Sequence, residues 1–142
     1  MRLNEAENKC VLIINPELPT GLIANTAAIL GITLGNRFNN IIGRDTVDAS
    51  SQHHLGITSI PIPILKGTKD KIKELIEEIR FNYNEELTIV DFSETAQKCN
   101  DYESYVLQVK GLTSDKFEYL GIGIFGPKKI INKLTGSMPL LR

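Results

Sequence analysis

The sequence lacks the features of a membrane-bound or exported protein. In its 142 residues, no apolar run approaches the ~20 residues that a helix needs to cross a bilayer. The first nine residues are polar and of mixed charge, without the basic region, apolar core and small-residue cleavage site of a secretory leader. We therefore expect a cytoplasmic protein without a membrane span.

Metal-binding and cofactor motifs are also missing. The two cysteines, Cys10 and Cys99, form no Cys-x-x-Cys pair and match no zinc spacing, which favours free thiols in a reducing compartment. The adjacent His53 and His54 fit no known metal cluster and are interpreted as part of a solvated loop. No glycine-rich phosphate or dinucleotide motif occurs. The sequence predicts neither a metal nor a cofactor.

Neither sign of charge dominates. Sixteen Lys and Arg residues against 17 Asp and Glu give a net charge of −1. Because neutralising several phosphates takes a concentrated basic surface, we expect tRNA binding to be weak or absent. The hydrophobic fraction of 42% and the charged fraction of 23% are typical of a soluble globular protein. The length predicts one domain over residues 1–142.

Hydrophobic patterning predicts alternating strands and helices. An apolar run over 9–15 is typical of a central strand, and the spacing of apolar residues over 69–82 predicts an amphipathic helix capped by Thr68. A first helix over 22–34 is expected to begin at the cap residue Thr20 and to close at Gly35. The other expected elements are an edge strand with prolines over 59–65, a strand over 87–92, a helix over 101–111, a strand over 117–125 and a C-terminal helix.

Three further features bear on function. Residues 36–56 are polar and turn-rich, which indicates an extended loop or a weak hairpin. Gly121 and Gly123 lie two apart in a strand and leave one face bare for a backbone or ligand. The first helix is apolar almost all round, with Asn25 as the one strongly polar interruption, so burial on two sides is expected. A homodimer is predicted on this basis.

The last 24 residues carry the clearest family signature. They read Tyr-Leu-Gly-Ile-Gly-Ile-Phe-Gly-Pro-Lys-Lys-Ile-Ile-Asn-Lys-Leu-Thr-Gly-Ser-Met-Pro-Leu-Leu-Arg. Together with residues 9–25, and with Asp91 followed four residues later by Thr95, this pattern resembles the type-two peptidyl-tRNA hydrolases. Within that superfamily it looks like a divergent family of unknown function. The resemblance implies a three-layer α/β/α sandwich around a mixed sheet of about four strands.

The resemblance also implies catalytic residues and shows two departures. Asp91 is the expected base, with Thr95 beside it and Lys66 or backbone amides as donors to the developing oxyanion. However, Leu22 and Ile29 stand where the hydrolases carry a lysine and a histidine. Since losing an oxyanion donor lowers the rate by about two to three orders of magnitude, little peptidyl-tRNA turnover is expected.

A ligand site is expected at the start of the first helix. The free amides at Thr20 and Gly21 favour an anion, with an ordinary helix cap as the alternative. Asn25 is expected to face one cleft together with Asp91, at the carboxyl end of the sheet. The favoured function is binding of a small anionic or nucleotide-like ligand. Hydrolysis of an ester or amide, and a vestigial pocket in a dimer-forming protein, are the alternatives.

Overall fold

A computed structural model of the protein describes residues 7–142. Six strands and five helices form in this part of the chain, together with two short 3-10 turns at Asn39–Ile41 and Ser114–Lys116. In chain order the elements are β1 (Asn8–Ile14), α1 (Thr20–Arg37), β2 (Thr46–Val47), β3 (His53–His54), β4 (Ile64–Lys66), α2 (Lys69–Asn82), β5 (Thr88–Ser93), α3 (Glu94–Lys98), α4 (Tyr102–Lys110), β6 (Tyr119–Pro127) and α5 (Lys128–Thr135).

Four of the strands form a mixed sheet in the order β4-β1-β6-β5. β1 runs parallel to β4 and antiparallel to β6, and β6 runs antiparallel to β5. β1, β4 and β5 therefore share one direction, and their carboxyl ends lie at the same end of the sheet. The predicted α/β class with a mixed four-stranded sheet is confirmed, as is the central place of β1.

Helices cover both faces of this sheet. Val11 and Ile13 of β1 pack into one apolar cluster with α2 and α5, whereas Cys10 and Leu12 pack into a second cluster with α1. Because successive side chains of a strand point to opposite faces, a strand between two helix layers must be apolar at every position. This is the reason for the unbroken apolar run in the sequence.

Helix α2 follows the predicted periodicity. Its four core-facing residues, Ile72, Leu75, Ile76 and Ile79, are all buried. The hydroxyl of Thr68 accepts a hydrogen bond of 3.1 Å from the backbone amide of Lys71 and so caps the helix as predicted. Full burial of an aliphatic side chain of this size is worth about 1.5–3 kcal/mol, so this one face anchors α2 to the sheet.

Helix α1 differs from the prediction at both ends. It begins at Thr20, with Pro19 at the cap position, and the Thr20 side chain makes no capping hydrogen bond. It also continues through Gly35 to Arg37. The predicted cap and stop are therefore wrong. The buried side chain of Leu34 holds the last turns of α1 against the sheet, and such tertiary packing overrides the weak helix propensity of glycine.

The bare stripe on β6 receives α1 and is not open to a ligand. A methyl group placed on Gly121 would lie 2.8 Å from Cγ2 of Thr26, and one on Gly123 would lie 2.8 Å from Cδ1 of Leu34. Both contacts are shorter than real Cβ contacts. The two glycines therefore serve the close approach of α1 to the sheet.

The chain itself covers the β4 edge of the sheet. β4 is shorter than predicted, and its edge position is confirmed. The amide of Lys66 donates to the carbonyl of Pro139 at 2.9 Å, and the amide of Leu141 donates to the carbonyl of Ile64 at 2.9 Å. The last residues of the chain thus pair with β4 along its outer side.

Residues 36–56 include the weak hairpin that was predicted, formed by β2 and β3. Asp48 organises its turn: one carboxylate oxygen accepts hydrogen bonds from the amides of Ser50 and Gln52, and the other lies 2.8 Å from Nε2 of His54. These bonds, above all the one with His54, lower the pKa of Asp48.

Within residues 7–142, no helix is both long and apolar enough to cross a membrane.

Candidate ligand site beside the edge strand

A cleft of about 440 Å³ opens along β5, the edge strand opposite β4. Its floor is formed by Val90, Asp91 and Phe92, three consecutive residues of the strand. Side chains from elements above and below the sheet edge form the walls. The wall residues are Ile29 and Thr33 of α1, Ala96 of α3, the linker residues Cys99, Asn100 and Asp101, and Tyr102 and Tyr105 of α4.

A second cleft, of about 390 Å³, lies on the α2 side of the same strand. Asp91 and Tyr105 border both clefts, so these two residues lie where the clefts meet. The remaining residues of the second cleft are Arg80, Val109, Leu112, Ser114, Phe117 and Tyr119.

Side chains point alternately to the two faces of the sheet along β5, and this sets the face to which the Asp91 side chain points. Val90 and Phe92 pack in the apolar cluster on the α1 side. Asp91 therefore points to the other face, where its strand partner is the fully buried Ile122. An apolar residue would be ordinary at that position. A carboxyl group is tolerated there because β5 is at the edge, so that Asp91 is only half buried.

Burial is the main influence on the pKa of Asp91. It raises the pKa of the carboxyl group, and the positive charge of Arg80 opposes part of that effect. Burial also raises the pKa of Tyr105 and of Tyr119, and the negative charge of Asp91 adds to both shifts. Among the described residues, no side chain or amide makes a hydrogen bond to the Asp91 carboxyl group within normal geometry.

This arrangement leaves a half-buried acid with free hydrogen-bonding capacity in a cleft. Such a group can accept a hydrogen bond from a ligand or take a proton from a water molecule. The larger cleft is lined by two acids, Asp91 and Asp101, and by no lysine or arginine. A neutral or positively charged ligand suits this lining better than an anion.

The structure separates the predicted ligand residues from Asp91. Asn25 is exposed on α1 and lines neither of the two clefts that Asp91 borders. The prediction that both residues face one cleft is therefore wrong. Thr20 and Gly21 are exposed at the start of α1, and a methyl group on Gly21 would meet no atom within 4 Å. Neither residue lines one of the two clefts beside β5.

The predicted catalytic partners of Asp91 lie elsewhere as well. Lys66 is exposed on β4, three strand spacings from β5, which corresponds to ~14 Å across the sheet. Thr95 is half buried in α3 and lines neither cleft. Asp91 and the proposed oxyanion donor Lys66 are thus not brought together. The separation arises because β1 and β6 insert between the two edge strands.

The sequence interpretation missed the tyrosines of the site. Tyr102 and Tyr105 do not stand out in the sequence, whereas both line the larger cleft and their ring centroids are 5.5 Å apart. The sequence did contain a signal for them. Asp101 caps α4 by accepting a 2.8 Å hydrogen bond from the Ser104 amide, and a spacing of three puts both tyrosines on one helix face. Arg80 gave no such signal, because its neighbours are distant in the chain.

The structure also shows the surroundings of His54 and of the two cysteines. His54 makes its contact with Asp48, and in the part of the chain that is described no group of three His, Cys, Asp or Glu residues could hold a metal ion. Cys10 and Cys99 are free thiols. Burial raises the pKa of Cys10 to about 11, so this thiol is inert, whereas Cys99 lies in the wall of the larger cleft.

Comparison with known proteins identifies the family. The family described as "Protein of unknown function (DUF2000)" matches residues 8–142. This chain belongs to the DUF2000 family. The solved structure of a protein of unknown function, Atu0240, from Agrobacterium tumefaciens strain C58 is similar, with a TM-score of 0.84 and 16% identity over 94% of this chain and 96% of that one. At this identity the similarity shows the fold alone. No curated protein matches the DUF2000 chain.

Proposed function

We propose that this DUF2000 protein is a divergent member of the type-two peptidyl-tRNA hydrolase superfamily that binds a small ligand in the cleft beside β5. The observation that carries the proposal is the carboxyl group of Asp91, half buried in a cleft and without a hydrogen-bond partner among the described residues. A buried carboxyl group without a hydrogen-bond partner raises the free energy of the folded state, and groups with perturbed pKa values in clefts cluster at functional sites.

One relationship supports the superfamily as well as the site. Ile29 stands where the hydrolases carry a histidine, and Asp91 stands where they carry the aspartate of their Asp-Thr stretch. Both residues line the larger cleft. The mixed four-stranded sheet with helices on both faces also agrees with the fold that the resemblance implies. In this chain, therefore, the ancestral site would have kept its acid, Asp91, whereas Ile29 would have replaced the histidine with an apolar side chain.

The lining of the cleft defines the class of ligand. Isoleucine, valine, phenylalanine and alanine side chains offer apolar contact, and the two tyrosines offer aromatic faces and hydroxyl groups. Asp91 and Asp101 add negative charge. We therefore propose a neutral or cationic ligand with an apolar body and a donor group for Asp91, in place of the anionic ligand expected from the start of α1.

A hydrolase is the second candidate function. The raised pKa of Asp91 favours it, because a base is most effective when its pKa approaches the working pH. The larger cleft holds no cationic donor for an oxyanion, and Arg80 stands only on the other side of Asp91, in the second cleft. An ester or amide substrate would have to place its carbonyl group between Asp91 and Arg80.

Native mass spectrometry of the purified protein tests the binding proposal. We expect a small molecule to co-purify with the wild type, and its occupancy to fall at least about tenfold in Asp91→Asn, as loss of a charged hydrogen bond predicts. Glu85→Gln is the matched control, since it removes the same charge from an exposed residue outside both clefts. Equal occupancy in all three proteins would overturn the proposal. Hydrolysis of acyl esters that disappears in Asp91→Asn would favour the second candidate.

A further inference from the structure

The two edge strands of the sheet, β4 and β5, differ in whether their outer main-chain groups are paired. The β4 edge is paired with the chain's own residues 139–141 through two main-chain hydrogen bonds. Along β5, no main-chain hydrogen bond from any described residue reaches the outer side of the strand. An unpaired edge is a template for another strand, and proteins usually protect it with proline, lysine, a bulge or a covering segment.

The pairing register shows which groups of β5 are free. The amide of Asn15 bonds to the carbonyl of Leu120, so Leu120 and every second residue after it on β6 point their main-chain groups at β1. Gly121 and Gly123 therefore point theirs at β5, where their partners are Phe92 and Val90. By alternation, the N–H and C=O groups of Ile89 and Asp91 point outward.

Beta-strand 5 also lacks the usual protection. Residues 88–92 read Thr-Ile-Val-Asp-Phe, with no proline or lysine, and the one irregularity of pairing lies at the end of the strand, between Phe92 and Ser93. β-Branched and aromatic residues of this kind favour extended pairing. Val90, Asp91 and Phe92 of this strand line the larger cleft. The strand with the free main-chain groups thus also borders the cleft.

We propose that the larger cleft binds an extended peptide of a partner protein, which pairs with the outward main-chain groups of Ile89 and Asp91 and places a lysine or arginine at the Asp91 carboxylate. This inference rests on the proposed function and names its ligand class. Main-chain pairing supplies the affinity in such complexes, and pockets for alternate side chains supply the selectivity.

Charge and shape favour a peptide over a second copy of this chain. The larger cleft is lined by Asp91 and Asp101 and by no lysine or arginine, whereas Arg80 lies on the other side of Asp91, so this lining complements a basic side chain. Antiparallel pairing of two β5 strands would bring two such acidic clefts together. In addition, residues of α1 and α4 line the cleft together with β5, so a second copy would bring the same helices to the contact.

The first test is a selection of peptides that bind the wild type. A display library of random heptapeptides is passed over the immobilised protein. We expect enriched sequences with a lysine or arginine flanked by β-branched residues. The best peptide, bound to wild type, should slow hydrogen exchange at the amides of Ile89 and Asp91. The same peptide with N-methyl groups at alternate residues should lose binding, because it can no longer pair. A selection without enrichment overturns the inference.

Two substitutions at one position separate main-chain pairing from side-chain contact. Ile89→Pro removes an outward amide that β6 does not use, a place where an edge strand tolerates proline. Ile89→Ala removes the side chain and keeps the amide. We expect peptide affinity to fall about tenfold or more in the first and to stay within about threefold in the second. Equal binding by the two variants overturns the inference, and a dimer that only Ile89→Pro dissolves would assign the edge to a second copy instead.

The outcomes for the two proposals are distinguishable. If a small molecule co-purifies in an Asp91-dependent way, and neither peptide selection nor Ile89→Pro has an effect, the cleft is a ligand site and the peptide inference is wrong. If Asp91→Asn leaves both small-molecule and peptide binding unchanged, the proposed function is wrong as well.

Discussion

Ile29 and Asp91 line the same cleft although they belong to different layers of the fold. Ile29 comes from the helix on one face of the sheet, and Asp91 points to the other face. They meet because β5 is the edge strand, so the cleft can wrap around it. The cleft therefore depends on β5 being the edge strand of the sheet.

The charge of Asp91 is expected to reduce stability at neutral pH. Because burial raises its pKa in the folded protein above the unfolded value, its contribution to stability is full below the unfolded pKa and is lost as pH rises through the folded one. Asp91→Asn should therefore raise the melting temperature at pH 7. The gain should shrink toward pH 4, and calorimetry at both values, with Glu85→Gln as control, would show whether it does.

Peptidyl-tRNA turnover is expected to be poor. With Leu22 and Ile29 in place of two cationic positions, the rate should be at least about a hundredfold below that of an authentic hydrolase, as the loss of an oxyanion donor predicts. A release assay with purified peptidyl-tRNA measures it. An enzyme-like rate that Asp91→Asn abolishes would contradict both this prediction and the preference for a binding function.

Close packing of α1 on β6 predicts contrasting effects of two glycine substitutions. In Gly121→Ala the new methyl group meets Thr26 and the carbonyl oxygen of Ile13, and such overpacking typically destabilises by ~1–3 kcal/mol. Gly21→Ala has open space in a helix and should stabilise by ~0.4–1 kcal/mol. Urea unfolding of both variants provides the comparison, and a neutral Gly121→Ala would show that α1 can move away.

The hairpin of β2 and β3 should loosen in acid. Its turn depends on Asp48, whose pKa is lowered by hydrogen bonds with His54 and with the amides of Gln52 and Ser50. A lowered folded pKa means that the stability it contributes is present above the unfolded value and is lost as pH falls through the folded one. NMR shifts of the hairpin amides should change only as the pH falls below the ordinary pKa of aspartate, about 3.9. Asp48→Asn should remove that transition.

The homodimer remains a prediction of the apolar first helix. One side of α1 is exposed, and its Ile32 side chain is 73% exposed. If two copies associate through this side, Ile32→Glu should give a monomer, whereas Asn84→Glu on the exposed α2–β5 turn should not. Light scattering at tens of micromolar, about the range for weak association, measures both. A monomeric wild type would contradict the prediction.

Local pattern was enough to predict much of the fold. The four buried isoleucine and leucine positions of α2, the cap at Thr68 and the all-apolar β1 follow from periodicity, which is a property of neighbouring residues. The end of α1 was mispredicted, since Gly35 stays helical only through packing of Leu34 on the sheet. Local propensity could not reveal that contact.

The site was decided by tertiary structure. The sequence places an acid, Asp91, at the end of an apolar run, and the resemblance predicts a functional role for it. Which strand lies at the edge, which face Asp91 points to, and that Lys66 lies on the opposite edge depend on pairings between residues far apart in the chain. Strand order has no local signal, because strands that are far apart in the chain, such as β1 and β6, pair side by side.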